Sequence, residues 1–183
     1  MHPPEYALEL RPPLADDTPQ LLALAEASSL FGPGEVDELL ADKLASIHAN
    51  RLGSGHAIRV AVLTPGGVAG WSYLAPAGDG SSSGGAEGGR TSELLWLGVH
   101  PRLHRRGVGA ALLRDAEATA SAFGSNFLLV STSSTDATAP ARALYEAHGY
   151  ERVGVERDFY GPVRPKYGTT RTRHHLCDSL SGA

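Results

Sequence analysis

The stretch from Glu93 to Leu113, ELLWLGVHPRLHRRGVGAALL, decides the fold. Its apolar run, Leu94 to Val99, predicts a buried strand that leads through a basic turn into a sequence with helical periodicity. Backbone N–H groups without partners at a helix start, together with the positive end of the helix dipole, attract anions. Gly107 and Gly109 have no Cβ and therefore let the backbone approach a phosphate closely. The stretch thus predicts an anion site between a strand and a helix.

A pyrophosphate is the natural ligand of such a turn, because Arg102, Arg105 and Arg106 add positive charge beside it. The alternative interpretation is a tight strand-to-helix turn with solvated arginines. Two other nucleotide signatures fit poorly. The dinucleotide fingerprint requires a third glycine where Leu112 stands, and the Walker sequence is absent.

The sequence on both sides of this stretch predicts alternating strands and helices. Strands are predicted at Tyr6–Arg11, Ala57–Leu63, Val68–Leu74, Leu94–Val99, Phe127–Ser131, Tyr150–Glu156 and around Thr169–Cys177. Helices are predicted from Thr18 onward and at Val36–Ile47, Gly107–Phe123 and Ala139–His148. This order predicts an α/β fold with a mixed, mostly antiparallel sheet and helices on both faces.

The length of the chain, 183 residues, is typical of one domain, and we expect residues 1–183 to form a single domain. Hydrophobic residues make up 42% of the chain, which is enough for a folded core. The segment from Gly78 to Gly89, GDGSSSGGAEGG, is mostly glycine and serine and predicts a flexible loop between two strands.

Charge and composition argue against several classes of protein. The net charge of −4 disfavours a nucleic-acid or membrane-surface binder. The single cysteine, Cys177, excludes an internal disulfide, and with the adjacent His174 and His175 it lacks metal-ligand spacing, so no metal is expected. The first residues do not resemble a signal peptide, and no apolar run is long enough to span a membrane. A cytoplasmic location is therefore the expectation.

Two motifs resemble those of the GNAT superfamily of acetyl-CoA-dependent N-acetyltransferases. The family's pyrophosphate signature, Q/R-x-x-G-x-G/A, matches HRRGVG at 104–109, except that His104 stands where the family has Gln or Arg. A second family motif, A-x-x-L-Y-E-x-x-G-F, is similar to the segment from Ala141 to Tyr150, ARALYEAHGY. The order of predicted elements agrees as well, so the resemblance covers nearly the whole chain and implies the GNAT-like fold.

The resemblance implies acetyl-CoA as the cofactor and no metal. The pantetheine arm would pair with the backbone of the strand Leu94–Val99, where that strand splays from its neighbour at Phe127, and a backbone N–H near Val99 would polarise the thioester carbonyl. Thr138 stands where the family often has Asn, and it offers a hydroxyl in place of an amide. The implied cofactor-binding residues are Leu97, Gly98, Val99, Arg105, Arg106, Gly107, Val108, Gly109, Ala110 and Thr138.

Two catalytic residues are implied by the same resemblance. An amine must be neutral to attack a thioester, and a free alkylamine has a pKa of about 10.4, so a base is useful. Glu93 matches a recurrent base position of the family, and its alternative interpretation is an exposed carboxylate at a strand end. Tyr145 matches the family's general acid, which protonates the leaving thiolate, and its alternative interpretation is a core aromatic residue.

The implied function is transfer of an acetyl group from acetyl-CoA to a primary amine by direct attack in a ternary complex. A small-molecule acceptor, such as an antibiotic or an amino-acid-like metabolite, is favoured, because the sequence from Val153 to Gly161 resembles that of members acetylating toxins or antibiotics. Six residues lie in segments that flank the acceptor cleft in this family, and most of them are expected to be packing residues while one or two contact the substrate: Phe31, Glu35, Trp71, Tyr73, Phe159 and Tyr160. The alternatives are a protein N-terminus or lysine as acceptor, and a non-catalytic acyl-CoA-binding module. A homodimer is compatible with the sequence.

Overall fold

The computed structural model describes residues 6–28, 36–49, 51–77, 90–157 and 172–179, and the predicted flexible loop at 78–89 lies outside them. The described strands are β1 (Ala7–Arg11), β2 (Ala57–Thr64), β3 (Gly67–Pro76), β4 (Thr91–Val99), β5 (Phe127–Ser133), β6 (Glu151–Arg157) and β7 (Thr172–Ser179). The described α-helices are α1 (Thr18–Ala27), α2 (Asp42–His48), α3 (Val108–Ala122) and α4 (Ala139–Ala147). None of them is long and apolar enough to cross a membrane.

The strands hydrogen-bond in the order β1-β2-β3-β4-β5-β7-β6. The pairs β1–β2, β2–β3, β5–β7 and β6–β7 are antiparallel, and β4 pairs with β5 in parallel. The predicted α/β fold, with a mixed and mostly antiparallel sheet flanked by helices, is confirmed. The last described strand runs from Thr172 to Ser179, where a strand is predicted around Thr169–Cys177, and residues 169–171 of that prediction lie outside the described residues.

Two compact units divide the chain. The first unit comprises Met1–Ala75 and Leu95–Thr119, and the second comprises Pro76–Leu94 and Ala120–Ala183. The strand β4 and the helix α3 therefore contribute residues to both units. That residues 1–183 form a single domain stays a prediction.

In the first unit, helices pack on both faces of the strands. One face carries a cluster in which Leu21 of α1 and Leu44 of α2 pack with Val60 and Trp71 of the strands. On the other face, Ala61 and Ala69 of β2 and β3 pack with Val108 and Leu112 of α3. Val60 and Ala61 are consecutive, so their side chains point to opposite faces, as strand geometry requires. The helix α2 is preceded by a turn of π-helix, Val36–Ala41, where the sequence predicts one continuous helix.

A β-bulge interrupts the pairing of β2 with β3. Ala61 pairs with Gly70, whereas Val62 pairs with Val68, so Ala69 is the extra residue on β3. A bulge breaks the strict alternation of faces. As a result, Ala69 packs in the cluster with α3, and the neighbouring Gly70 lies against α3 as well.

The second unit combines four strand segments with α4. Thr91–Leu94 of β4 aligns with Phe127–Val130 of β5. A buried hydrogen bond of 2.7 Å joins the hydroxyls of Ser92 and Ser125 and ties β4 to the connection before β5. The helix α4 ends at Ala147, and Gly149, two residues later, has a φ of 89° that lets the chain turn into β6.

Candidate functional site

The end of β4 carries the residues predicted to pair with the pantetheine arm. Trp96 packs with the cluster formed by α1 and α2, whereas Leu97 and Val99 pack with the cluster formed by α3. Gly98, between them, is buried. The side chains of Leu97 and Val99 are therefore used in packing, and the predicted pairing with a cofactor concerns the backbone of this segment.

A hydrogen-bonded turn connects β4 to α3. The Leu103 N–H donates to the carbonyl of His100 at 2.8 Å, and the His104 N–H donates to the carbonyl of Pro101 at 3.3 Å. The imidazole of His104 turns back toward the strand, and its Nε2 lies 3.0 Å from the carbonyl oxygen of Val99. These bonds fix the path of the chain between the strand and the helix.

Two residues of this turn have left-handed backbone conformations. Gly107 has a φ of 83°, and Arg105 has a φ of 59°, which is unusual for a residue with a Cβ. A Cβ built on Gly107 meets no heavy atom within 4 Å. Glycine is thus needed at 107 for its backbone conformation and not because a neighbouring protein atom fills the space. Strained residues such as Arg105 cluster at functional sites.

The helix α3 begins directly after Gly107. The first turn closes with the Ala111 N–H, which donates to the Gly107 carbonyl at 2.9 Å. The preceding N–H groups, those of Val108, Gly109 and Ala110, have no acceptor within the helix. Their dipoles and the positive end of the helix favour an anion at this position.

Three exposed arginines precede the helix start in the sequence: Arg102, Arg105 and Arg106. Within the described ranges none of them forms an ion pair, because the two ion pairs found there join Arg11 to Asp17 and Arg59 to Asp115. Guanidinium groups bind phosphate oxygens through charge-assisted hydrogen bonds. The turn therefore has the backbone donors and the charge that a pyrophosphate requires.

Gly70 of β3 supports this turn, although the sequence analysis did not single it out. A Cβ on Gly70 would lie 2.7 Å from the Gly98 carbonyl oxygen, 3.1 Å from Leu112 Cδ1 and 3.3 Å from Val108 Cγ1. No real Cβ is tolerated at 2.7 Å from a backbone oxygen. Gly70 therefore allows β3, the end of β4 and the start of α3 to approach closely. A glycine within a predicted strand was the available signal.

Glu93 lies on β4 within the second unit and is half-buried. Its Oε1 accepts a hydrogen bond from the Ser131 hydroxyl at 3.1 Å. This hydrogen bond fixes the orientation of the carboxylate. The role of Glu93 as a base stays a prediction.

Tyr145 lies on α4 and is 6% exposed. Its ring packs against the ring of Tyr150, with centroids 5.6 Å apart. Burial raises the pKa of the Tyr145 phenol to about 12, because the phenolate form loses its hydration. The side chain is thus a core residue whose hydroxyl stays protonated at any ordinary pH.

Thr138 immediately precedes α4, and its hydroxyl is already engaged. Thr138 Oγ1 donates to the Ser133 carbonyl at 2.7 Å, and it accepts a hydrogen bond from Arg142 Nη1 at 2.8 Å. The same guanidinium nitrogen lies 2.6 Å from the Ser133 carbonyl and 3.0 Å from the Thr135 carbonyl. Binding of a cofactor by Thr138 stays a prediction, and it requires the hydroxyl to exchange one of these partners.

An aromatic cluster in the first unit contains Trp71 and Tyr73, two of the six residues predicted near the acceptor cleft, and the other four lie outside the described residues. Trp71 and Tyr73 are 0% and 1% exposed and pack against Trp96, with ring centroids 5.4 Å and 5.0 Å away. The Tyr73 hydroxyl lies 2.9 Å from His56 Nδ1. Burial, and secondarily the charge of Lys43, lowers the pKa of His56. Trp71 and Tyr73 are core residues here, whereas His56 and Trp96 are partly exposed.

Comparisons with known proteins agree with these observations. A family model described as an acetyltransferase (GNAT) domain matches residues 54–152. No curated protein sequence matches the chain significantly.

Among the described residues, no group of three or more His, Cys, Asp or Glu side chains is arranged to hold a metal ion.

Several solved structures share the fold over nearly the whole chain. A protein described as a GNAT-family acetyltransferase from Desulfovibrio desulfuricans is 24% identical, with a TM-score of 0.73 over 96% of this chain and 100% of that one. The ribosomal-protein-S18-alanine N-acetyltransferase of Escherichia coli is 18% identical, with a TM-score of 0.67 over 97% and 96%. The yncA protein of Salmonella typhimurium, solved with its cofactor acetyl-CoA, is 19% identical, with a TM-score of 0.68 over 97% and 96%. At these identities the likeness concerns the fold.

Proposed function

Since the chain belongs to the GNAT family of acetyltransferases and is therefore an acyltransferase, we propose that it transfers the acetyl group of acetyl-CoA to a primary amine of a small molecule. The observation that carries this proposal is the turn between β4 and α3. It combines a glycine with a φ of 83°, a helix start and three arginines without ion pairs in the described structure. These features suit a pyrophosphate.

The proposed cofactor site uses the backbone more than side chains. The pyrophosphate accepts hydrogen bonds from the N–H groups between Arg105 and Ala110, including those of Arg106, Gly107, Val108 and Gly109. The pantetheine amides pair with the backbone of Leu97, Gly98 and Val99. Thr138 completes the proposed set. We further propose that residues 1–183 act as one acetyltransferase domain without a metal.

The reaction proceeds by direct attack. A neutral amine nitrogen forms a bond to the thioester carbonyl carbon, and the carbon–sulfur bond breaks to release the CoA thiolate. The nitrogen loses one proton, and the thiolate takes up one. A backbone N–H near Val99 stabilises the negative charge that develops on the carbonyl oxygen. No covalent enzyme intermediate is involved.

Glu93 is the proposed base, acting directly or through water. Its carboxylate is half-buried and accepts a hydrogen bond from Ser131. This bond orients the carboxylate.

Tyr145 is the proposed partner of the leaving thiolate. A free thiol has a pKa of roughly 8.5, well below the pKa of about 12 that burial gives the Tyr145 phenol. Complete proton transfer from the phenol to the thiolate is therefore uphill. A hydrogen bond from the phenol stabilises the thiolate as it forms, and solvent completes the protonation.

The acceptor class rests on the resemblance of the sequence after Tyr150 to members that act on small molecules. One of the structural relatives is named as acting on a ribosomal protein, and this supports the alternative acceptor, a protein N-terminus or lysine. A cytoplasmic location and a homodimer stay predictions.

The experiment is a panel of amines incubated with acetyl-CoA and read by thiol release. The panel contains aminoglycosides, polyamines, amino acids and peptides with a free N-terminus. Steady turnover with a small amine and none with peptides supports the proposal. Turnover with peptides alone establishes the protein acceptor. Binding of acetyl-CoA, seen as a raised melting temperature, without turnover of any amine in the panel contradicts the proposed acceptor class.

A further inference from the structure

A lysine of α2 lies over a buried tyrosine of the first unit. The ammonium nitrogen of Lys43 is 5.9 Å from the centroid of the Tyr73 ring. Tyr73 is 1% exposed, and its hydroxyl lies 2.9 Å from His56 Nδ1. The Tyr73 ring also packs against Trp96 of β4, with centroids 5.0 Å apart. These contacts fix the ring, and the ammonium group therefore has a defined place beside the aromatic cluster.

The positive charge of Lys43 is not neutralised by an ion pair within the described ranges, where both ion pairs join other side chains. The pKa of His56 is lowered by burial and by the charge of Lys43, which agrees with positive surroundings at this point. Lys43, His56 and Trp96 are each partly exposed, so the ammonium group is accessible from solvent. The cluster thus presents one accessible cation on an aromatic floor.

This arrangement favours a ligand that carries a negative charge. Aromatic rings alone attract the ammonium groups of ligands. At Tyr73 the ammonium group of Lys43 already has this place, and it repels a second cation. A carboxylate instead gains a charge-assisted hydrogen bond from Lys43. The side chain therefore discriminates between anionic and cationic ligands.

The strand β4 connects this cation to the proposed point of acetyl transfer. Trp96 and Val99, near which a backbone N–H is proposed to polarise the thioester, belong to the same strand. Three residues of a strand span about 10 Å. An acceptor whose amine reaches the thioester therefore has only a remote group near Tyr73. A carboxylate directly beside the amine, as in an α-amino acid, would not reach Lys43.

We propose that Lys43 is a specificity-determining residue that selects an acceptor with a carboxylate remote from its amine, as in an ω-amino acid. This inference rests on the proposed acetyl transfer to a small amine, and it names the class of acceptor. The carboxylate binds the Lys43 ammonium group beside the Tyr73 ring, and the amine extends along β4 to the thioester. Polyamines and aminoglycosides are disfavoured, because their additional cations meet Lys43.

The test compares two pairs of amines. 6-Aminohexanoate and 6-aminohexanamide differ in the charge of a remote group, and 3-aminopropanoate and 3-aminopropanamide are their short counterparts. Turnover is read by thiol release, and kcat/KM is measured for each amine. The wild-type protein should prefer the long acid over its amide roughly tenfold, the lower end for a hydrogen bond to a charged group, because Lys43 is partly exposed. The short pair should show nearly equal values.

Substitutions of Lys43 should change this preference in a way that depends on charge. Lys43→Gln should make the long acid and its amide nearly equal, and Lys43→Glu should make the amide the better acceptor. Lys43→Arg keeps the charge and should keep the preference. Arg114→Gln is the matched control, because it removes an equal charge from an exposed position of α3, on the opposite face of the strands. It should prefer the long acid as the wild-type protein does.

Each preference is a ratio measured within one variant, so a partial loss of folded protein cancels. Equal kcat/KM for the long acid and its amide in the wild-type protein overturns the proposal, as does a preference that Lys43→Gln retains or that Arg114→Gln loses. An equal preference for the short acid overturns remote binding of the carboxylate.

Failure of this inference is distinguishable from failure of the proposed function. Turnover of polyamines or aminoglycosides, but of neither acid, overturns the role of Lys43 alone and leaves a small amine as the acceptor. Absence of turnover with these four amines and with every small amine of the wider panel overturns the small-molecule acceptor itself, and the role of Lys43 with it.

Discussion

The two units hold their predicted site residues by different means. In the first unit, the turn from Arg105 to Gly107 depends on backbone conformation, and the arginines beside it have no ion-pair partner among the described residues. In the second unit, Thr138 is hydrogen-bonded to carbonyls and to Arg142 of its own unit, and Tyr145 is buried. The backbone N–H groups and the arginines of the first unit suit an anion as they stand. In the second unit, the Thr138 hydroxyl and the Tyr145 phenol have to give up protein contacts before they can contact a ligand.

The largest effect is expected from a substitution in the turn. Gly107→Val should weaken acetyl-CoA binding roughly 100- to 1000-fold, because it displaces N–H donors, and each hydrogen bond to a charged group contributes about 1.5–3 kcal/mol. Gly149→Val is the matched control, since Gly149 also has a positive φ, 89°, and also has no heavy atom within 4 Å of an added Cβ. Both variants should lose similar stability to backbone strain.

Calorimetric titration and urea unfolding measure the two quantities separately. The assignment of the turn requires that only Gly107→Val loses affinity. An equal loss in Gly149→Val would show that any strained glycine disturbs the cofactor site, and the contrast between the two units would disappear.

A smaller loss, in turnover, is expected in the second unit. Tyr145→Phe should lower kcat about 100-fold, the lower end of the usual contribution of a general acid, because the phenol assists the thiolate by a hydrogen bond and not by complete proton transfer. Acetyl-CoA affinity should stay within a few-fold. Tyr150→Phe, which alters the neighbouring buried ring, is the control and should keep kcat within about threefold. An unchanged kcat for Tyr145→Phe in single-turnover measurements would make Tyr145 a packing residue.

The burial of Tyr145 also predicts a dependence of stability on alkaline pH. The phenol has a pKa of about 12 in the folded chain, compared with 10.0 as the ordinary value. Between these values the unfolded chain loses the proton and the folded chain keeps it, so the free energy of unfolding falls as the pH rises. The loss attributable to this group approaches about 2–3 kcal/mol near pH 12.

Urea unfolding of the wild-type protein and of Tyr145→Phe at pH 9 to 11 measures the early part of this loss. The wild-type protein should lose more stability than the variant as the pH rises. Parallel curves would mean that the hydroxyl reaches water, and that the second unit is more open to ligands than its burial indicates.

The smallest effect concerns the strained arginine of the turn. Arg105→Gly should stabilise the protein by about 0.5–1 kcal/mol, because glycine adopts a positive φ without strain. The same change should weaken acetyl-CoA binding several-fold through the lost charge. Arg106→Gly removes an equal charge at a position without a positive φ, so it should weaken binding without the gain in stability. Thermal unfolding measures this difference in stability, and equal changes in melting temperature for the two variants would contradict backbone strain at Arg105.

The backbone part of the site was predictable from sequence, because glycine spacing and hydrophobic periodicity report local conformation. Gly107 and the start of α3 were found in this way. The positive φ of Arg105 was not, since an arginine gives no signal for a left-handed conformation. The ring of His104 was also unpredictable, because the motif gives a residue type at this position but no direction for its side chain.

Side-chain hydrogen bonds were harder to predict. The resemblance implied that Thr138 contacts the cofactor, but the Thr138 hydroxyl accepts a hydrogen bond from Arg142, four residues further on, and donates one to the Ser133 carbonyl at the end of β5. The residue type at 142 does not indicate which acceptors its guanidinium takes. The π-helical turn before α2 was missed for a related reason: its apolar residues, Val36 and Leu40, continue the spacing of the α-helix that follows.

The close approach at Gly70 has a consequence for how variation in this protein is interpreted. At Gly70, the gap between β3, β4 and α3 is too small for a methyl group. A substitution to alanine would therefore push the strand end and the helix start apart, and its phenotype would be weakened cofactor affinity, although the position lies more than thirty residues before the glycine motif. A search for inactivating variants that covers only the glycine motif would therefore miss Gly70, the residue that allows the strand end and the helix start to approach closely.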